Sequence, residues 1–161
     1  MNARIRIMLD SRDIEELAAP DGEVLGMWGK AIRTQRSAAL PGLADDPDAR
    51  FTLLYQSALQ AATAVVRAAG YRVRGDHNHH ITFATVAALG SPSLSEAARD
   101  LNVIRQGRHA AIYDWEAITE ATRLADLQDA TATLLTEAYS FLRTQRPSLA
   151  GGLSAPPPPA P

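Results

Sequence analysis

The chain has 161 residues with 16 Lys or Arg, 18 Asp or Glu and a formal net charge of -2 at pH 7. This length suits a single domain with a proper hydrophobic core. The charge balance excludes general electrostatic attraction to nucleic acid, so any such contact must come from a local patch. Cysteine is absent, which excludes disulfides and thiolate metal sites. Neither a transmembrane run of about 18 apolar residues nor a secretion signal is apparent, and we expect a cytoplasmic protein that is not bound to a membrane.

Residues 1–22 are expected to form an N-terminal arm that packs on the domain. The alternation of apolar and charged residues in ARIRIML predicts a short strand. The following segment, SRDIEELAAP, predicts one or two helical turns that begin at Ser11 and end before Pro20.

Hydrophobic periodicity predicts five helices between residues 23 and 145. The first covers about 23–39. The second covers about 47–69, with Asp46 as N-cap, Pro47 at the first helical position and Gly70 as the stop. The apolar stripes of these two helices comprise Val24, Leu25, Trp28, Ala31 and Ile32, and then Phe51, Leu54, Tyr55, Ala58, Ala62, Val65, Val66 and Ala69.

Three further helices are predicted at about 78–89 after Asp76 or Asn78, from Ser93 or Ser95 to about 113, and at about 119–144 after Thr119. The first and third of these have inward-facing stripes of Ile81, Phe83, Ala84, Val86, Ala87 and Ala88, and of Leu124, Leu127, Ala130, Leu134, Leu135, Ala138, Phe141 and Leu142. The fold class predicted for residues 23–145 is therefore an all-α, antiparallel four- to five-helix bundle. Residues 146–161 are Pro-rich and are expected to form a disordered tail.

The predicted fourth helix contains the densest set of reactive side chains. Arg105, His109 and Tyr113 recur at i, i+4 and i+8 on one face, and Arg108 lies beside them. Gly107 interrupts the helix interior at a cost of about 1 kcal/mol, which favours close approach of another backbone or a ligand. This face can bind phosphate and transfer protons. The alternative is that the arginines are ordinary solvated side chains and His109 is a half-buried spacer.

A second cluster precedes and opens the predicted third helix. It comprises Arg72, Arg74, His77, His79 and His80. Because the linker GSPS is short, the third and fourth helices should be neighbours, which brings the two clusters into one region. A metal site, a phosphate- or RNA-binding pocket and a purely structural role in helix capping all use such residues. We predict no metal site, because the chain has no H-E-x-x-H pattern and no cysteine.

The segments AAGYRVRG, HNHHITF and RQGRHAAIYD, followed by a long last helix, make residues 23–145 resemble a HEPN domain. The resemblance implies a helical bundle that forms a homodimer through its fourth helix, with an arginine–histidine motif in the shared cleft. Many members of the family are metal-independent ribonucleases of toxin–antitoxin and phage-defence systems. Others are inactive partners of nucleotidyltransferases, or binding modules.

Carried over to this sequence, the motif arginine is Arg108, while His109 stands where many members have asparagine. Tyr113 stands where catalytic members often have histidine. The resemblance thus implies RNA binding, with Arg72, Arg74, His79 and His80 adding contacts to phosphate. Cleavage would proceed by 2′-hydroxyl attack at Arg105, Arg108, His109 and Tyr113, without a cofactor. The alternative is a non-catalytic partner of a nucleotidyltransferase or antitoxin.

Overall fold

The computed structural model describes residues 2–76, 78–113 and 121–158, with the side chains of 106–113, 121 and 122 left undescribed. Within these residues the chain is mostly helical. The elements are α1 (Ala3–Asp10), β1 (Ile14–Glu16), α2 (Asp21–Ala38), α3 (Pro47–Ala68), β2 (Tyr71–Val73), α4 (His79–Leu89), α5 (Pro92–Tyr113) and α6 (Ala121–Gln145). Two 3₁₀ turns lie at Pro41–Leu43 and Pro147–Leu149. None of the described helices combines the length and the apolar character needed to cross a membrane.

The five helices predicted from periodicity correspond to α2 through α6, and most of their ends agree within about two residues, the usual uncertainty of helix boundaries. The signals at both ends of α3 are confirmed. The Asp46 side chain accepts a hydrogen bond from the Ala49 backbone N–H at 3.0 Å. At the other end, Gly70 adopts a φ of +87°, which glycine tolerates and most residues do not.

The predicted caps of α4 and α5 differ from those observed. Asn78 stands at the N-cap position of α4, but its side chain donates back to the Arg74 carbonyl at 2.6 Å and does not cap the helix. At α5, Ser91 accepts from the Leu94 N–H at 3.4 Å, whereas the predicted cap Ser95 donates to the Ala87 carbonyl at 2.7 Å. Ser95 therefore ties α5 to α4. The predicted cap Thr119 lies outside the described residues.

The prediction for the N-terminal arm is wrong in both of its elements. Residues 3–10 form a helix whose N-cap Asn2 accepts from the Arg4 N–H, and its Ile5 and Met8 are buried one turn apart. Residues 14–16 form a strand that pairs antiparallel with β2, so that Ile14 lies opposite Val73. The second strand falls between the predicted second and third helices, in a segment for which the sequence predicts no element. The partner of β1 is distant in sequence, because Ile14 pairs with Val73, and local periodicity does not indicate such a pairing.

The main core is built around α3, which packs against α2, α4, α5 and α6. Helix α4 is apolar on two sides. Phe83 and Val86 enter the main core, while Ile81 and Ala84 pack on a second, smaller cluster under α1. That smaller cluster consists of the buried residues Ile5, Met8 and Ile14. The smaller cluster therefore packs α1 and β1 against α4, and the main core packs α2, α4, α5 and α6 around α3.

The prediction of a disordered C-terminal tail is wrong for residues 147–154. Leu149 and Leu153 are buried in the main core. The indole N–H of Trp28 donates to the Ser154 carbonyl at 2.9 Å. These contacts fasten the segment that follows α6 onto α2. Residues 159–161 lie outside the described part of the chain.

Candidate functional site

The solvent-facing edge of α5 presents two guanidiniums. Arg99 and Arg105 flank Asn102 and Val103 around an open depression of about 310 Å³. Both side chains are exposed. Arg99 lies on the side of α5 away from the buried residues Leu94, Ala98 and Leu101, whereas Arg105 follows Leu101 by one turn, beyond the last buried residue described on α5. The Nε of Arg105 donates to the Asn102 side-chain oxygen at 3.1 Å. Asn102 therefore helps to hold this guanidinium over the depression.

In the part of the chain that the structure describes, no carboxylate pairs with either arginine. Within the described residues, the ion pairs involve other side chains, and both Arg99 and Arg105 are exposed. A guanidinium with free N–H groups matches the oxygens of a phosphate in a planar, two-point contact. The depression thus has the chemistry of a phosphate contact site.

The predicted motif continues this helix toward its C-terminal end. The backbone of α5 is helical through Tyr113, so chain positions 105, 109 and 113 follow one another at intervals of about one turn. The side chains of Arg108, His109 and Tyr113 lie outside the described residues, as does everything around Gly107. Of the four predicted catalytic residues, the structure thus describes the side chain of Arg105.

The N-terminal end of α4 lies near this edge. Helices α4 and α5 are joined by two residues and pack against each other as a helical hairpin. From His79 to the end of α4 the rise is about 15 Å, and the same rise along α5 reaches Asn102. His79 is therefore level with Asn102, about one turn from Arg105. The hairpin brings the first turn of α4 and the Arg105 edge to the same end of the molecule.

The two histidines of this turn face different surroundings. The His79 ring is half-buried and lies against Tyr55, with ring centroids 6.1 Å apart and planes tilted by 45°. Its contact with an α3 aromatic ring supports the packing of α4. His80 is exposed and points away from the core. His77 lies outside the described residues.

The predicted phosphate ligands Arg72 and Arg74 also differ. The guanidinium of Arg72 is engaged by Glu15 on the neighbouring strand, with Nε 2.6 Å and Nη2 2.5 Å from the same carboxylate oxygen. This is a cross-strand ion pair that leaves less of Arg72 for a ligand. Arg74 is exposed, and its backbone N–H donates to the Asp13 carbonyl at 2.9 Å.

The described part of the chain contains no group of side chains that could bind a metal ion. No three His, Asp or Glu side chains among those residues come together closely enough to hold an ion.

Sequence reasoning missed two residues of the α5 edge, namely Arg99 and Asn102. Their spacing with Arg105 in RDLNVIR, at i, i+3 and i+6, is the signal that could have found them.

Known proteins do not resemble the chain closely enough to assign it to a family. No family model matches it, and neither a curated protein nor a solved structure is significantly similar to it. The function must therefore be argued from the chain's own residues.

Proposed function

We propose that this protein is a HEPN-like helical protein of a toxin–antitoxin or phage-defence system that binds RNA along α5. The observation that carries the proposal is the pair of exposed guanidiniums of Arg99 and Arg105 at the edge of the 310 Å³ depression, neither of which has a carboxylate partner among the residues described. Arg99 and Arg105 precede Arg108 and His109 on α5. The cationic series therefore begins about two turns before these two residues. A polyanion laid along α5 would meet Arg99, Arg105 and His109 in succession, with Arg108 to one side of this series.

The same series supports a cleavage mechanism. His109 would act as the general base and take the proton of an RNA 2′-hydroxyl. The freed oxygen attacks the adjacent phosphorus, and the bond to the 5′-oxygen breaks. The products are a 2′,3′-cyclic phosphate and a 5′-hydroxyl, whose proton comes from a general acid or water. Arg105 and Arg108 would stabilise the charge on the phosphoryl oxygens, and Tyr113 would position the phosphate.

The proposal includes a homodimer in which two α5 helices form a shared cleft. Gly107 supports it, because a residue without a side chain in a helix interior allows a second helix to approach closely. Sedimentation of the purified chain tests this part. A species that remains a monomer at every concentration would contradict it without affecting RNA binding by a single subunit.

RNA binding is tested by the double substitution Arg99→Gln and Arg105→Gln. Binding of a fluorescent single-stranded RNA should weaken, and the slope of log Kd against log salt should fall by about 1.4 for two lost phosphate contacts. The matched control is Arg4→Gln with Arg6→Gln, which removes the same charge from exposed positions of α1. Equal RNA affinity in both double variants would overturn the proposal.

A non-catalytic partner of a nucleotidyltransferase or antitoxin is the second candidate function. Tyr113 favours it, because a phenol at the position where catalytic HEPN domains have histidine is a poor base near neutral pH. In that case RNA incubated with the protein and a metal chelator stays intact, while RNA binding along α5 persists.

A further inference from the structure

A groove of about 650 Å³ runs between α5 and α6 on the other side of Val103 from the arginine edge. Its apolar lining consists of Ala97, Ile104 and Ala130, of which the two alanines are buried. Val103 stands at the boundary of both depressions and is 78% exposed, the largest exposed fraction among the large hydrophobic side chains described. The groove therefore has an apolar floor with an uncovered aliphatic side chain on one rim.

Both walls of the groove are acidic. Glu96 and Asp100 stand one turn apart on α5, and Asp126 and Asp129 stand one turn apart on α6. All four carboxylates are exposed. In the described part of the chain, none of them takes part in an ion pair. The described residues that line the groove include no Lys, Arg or His to offset them.

The chemistry of the groove excludes two kinds of occupant. A nucleic acid would bring phosphates against four carboxylates, and like charges repel. A metal ion would need converging ligands, and no three of these side chains form such a group among the residues described. What fits is a ligand with an apolar stripe between two rows of cations.

We propose that the α5–α6 groove is the docking site of a basic amphipathic helix from another protein. The α5 wall from Ser93 to Ile104 rises about 17 Å, which matches about three turns of a bound helix. Its apolar stripe would lie on Ala97, Ile104 and Val103, a recurring mode of helix-in-groove recognition. Lys or Arg side chains on its two flanks would face the carboxylates of α5 and α6. This proposal is independent of RNA binding, because it uses the opposite side of Val103.

The test uses synthetic peptides and the full chain, without RNA. The probe is a fluorescent peptide of about 18 residues with Leu at i, i+3, i+4 and i+7 and Lys elsewhere, long enough to form a helix on binding. Its matched control is a peptide of the same composition with the leucines scrambled around the helix. Fluorescence anisotropy should show that the amphipathic peptide binds and that the scrambled peptide binds at least tenfold more weakly.

Two variants locate the site. Asp100→Asn with Asp126→Asn should weaken binding of the amphipathic peptide by roughly fivefold or more, since exposed charge pairs contribute modestly. Asp10→Asn with Asp45→Asn removes the same charge from exposed positions outside the groove and should leave binding unchanged. Val103→Ser should also weaken binding, because it removes the apolar contact at the rim.

Three outcomes would overturn the proposal. The first is equal binding of the two peptides, which would mean simple attraction between opposite charges. The second is binding that survives the double substitution in the groove. The third is a dimer of the chain alone that Asp100→Asn with Asp126→Asn disrupts, which would make a second copy the occupant. None of these results bears on RNA affinity, so the two proposals fail separately.

Discussion

The guanidinium of Arg67 on α3 joins the carboxylate of Glu23 on α2, with Nε 2.6 Å from Oε1. Arg67 is buried, and its Nη1 also donates to the Leu17 and Tyr71 carbonyls at 2.7 and 2.9 Å. One side chain therefore connects α2, α3, the end of the N-terminal arm and β2. A buried cation is tolerated here because its N–H groups donate to a carboxylate and to two backbone carbonyls.

Replacing Arg67 by Met should destabilise the protein by about 3 kcal/mol, because it removes a buried ion pair and leaves backbone carbonyls without their donor. Urea unfolding followed by circular dichroism measures the change. The control Arg6→Met alters an exposed arginine of α1 and should stay within about 0.5 kcal/mol of the wild type. Similar stability of the two variants would show that Arg67 does not organise this junction.

The pH dependence of stability should report on Glu23. The hydrogen bond from Arg67, aided by the charges of Arg67 and Arg72, lowers the pKa of Glu23 from its ordinary value of 4.5, and burial opposes this in part. The unfolded chain then binds the proton at a higher pH than the folded chain does. The resulting stabilisation is complete above pH 4.5 and is lost as the pH falls through the lower, folded-state pKa.

The difference in unfolding free energy between wild type and Glu23→Gln should therefore shrink as the pH falls from about 6 to about 3. Urea titrations across this range provide the measurement. Glu16→Gln, at an exposed position of β1, serves as the control and should show a smaller trend. A difference between wild type and Glu23→Gln that stays constant with pH would contradict the ion-pair explanation.

The segment after α6 should contribute to stability although it is Pro-rich. Leu149→Ala removes a fully buried side chain and should cost about 2–3 kcal/mol. Leu40→Ala, at a leucine that is 57% exposed, should cost much less. Thermal unfolding of the two variants compares them. A chain that ends at Gln145 and melts at the wild-type temperature would show that residues 147–154 do not hold the fold together.

The proposed cleavage site should respond to Tyr113→His. This substitution supplies the histidine that catalytic HEPN domains often have at this position, and a base near neutrality should raise the rate of RNA cleavage. Gel analysis of RNA incubated with the variant and a metal chelator measures it. Adding Arg108→Gln should abolish the gain, whereas Arg33→Gln on α2 should leave it intact. Unchanged, intact RNA with Tyr113→His would contradict the proposed cleavage site.

The helices were predictable because their signals are local. A stripe such as Phe51, Leu54, Tyr55 and Ala58 repeats along one stretch of chain, and Asp46 with Pro47 marks where that stretch begins. The candidate site was predicted less completely. Arg105 was identified from its spacing to His109. Arg99 was not, because its place beside the depression on α5 depends on which side of the helix the core covers.

What the sequence by itself determined is the number and extent of the main helices, since each helix is specified by the 3.6-residue period and by its end signals. The tertiary structure decided the rest. Ile14 lies in a strand because Val73 is there to pair with it, and Leu149 and Leu153 are buried because α2 and α6 offer them a surface. Such contacts join residues far apart in the chain, so no local pattern contains them.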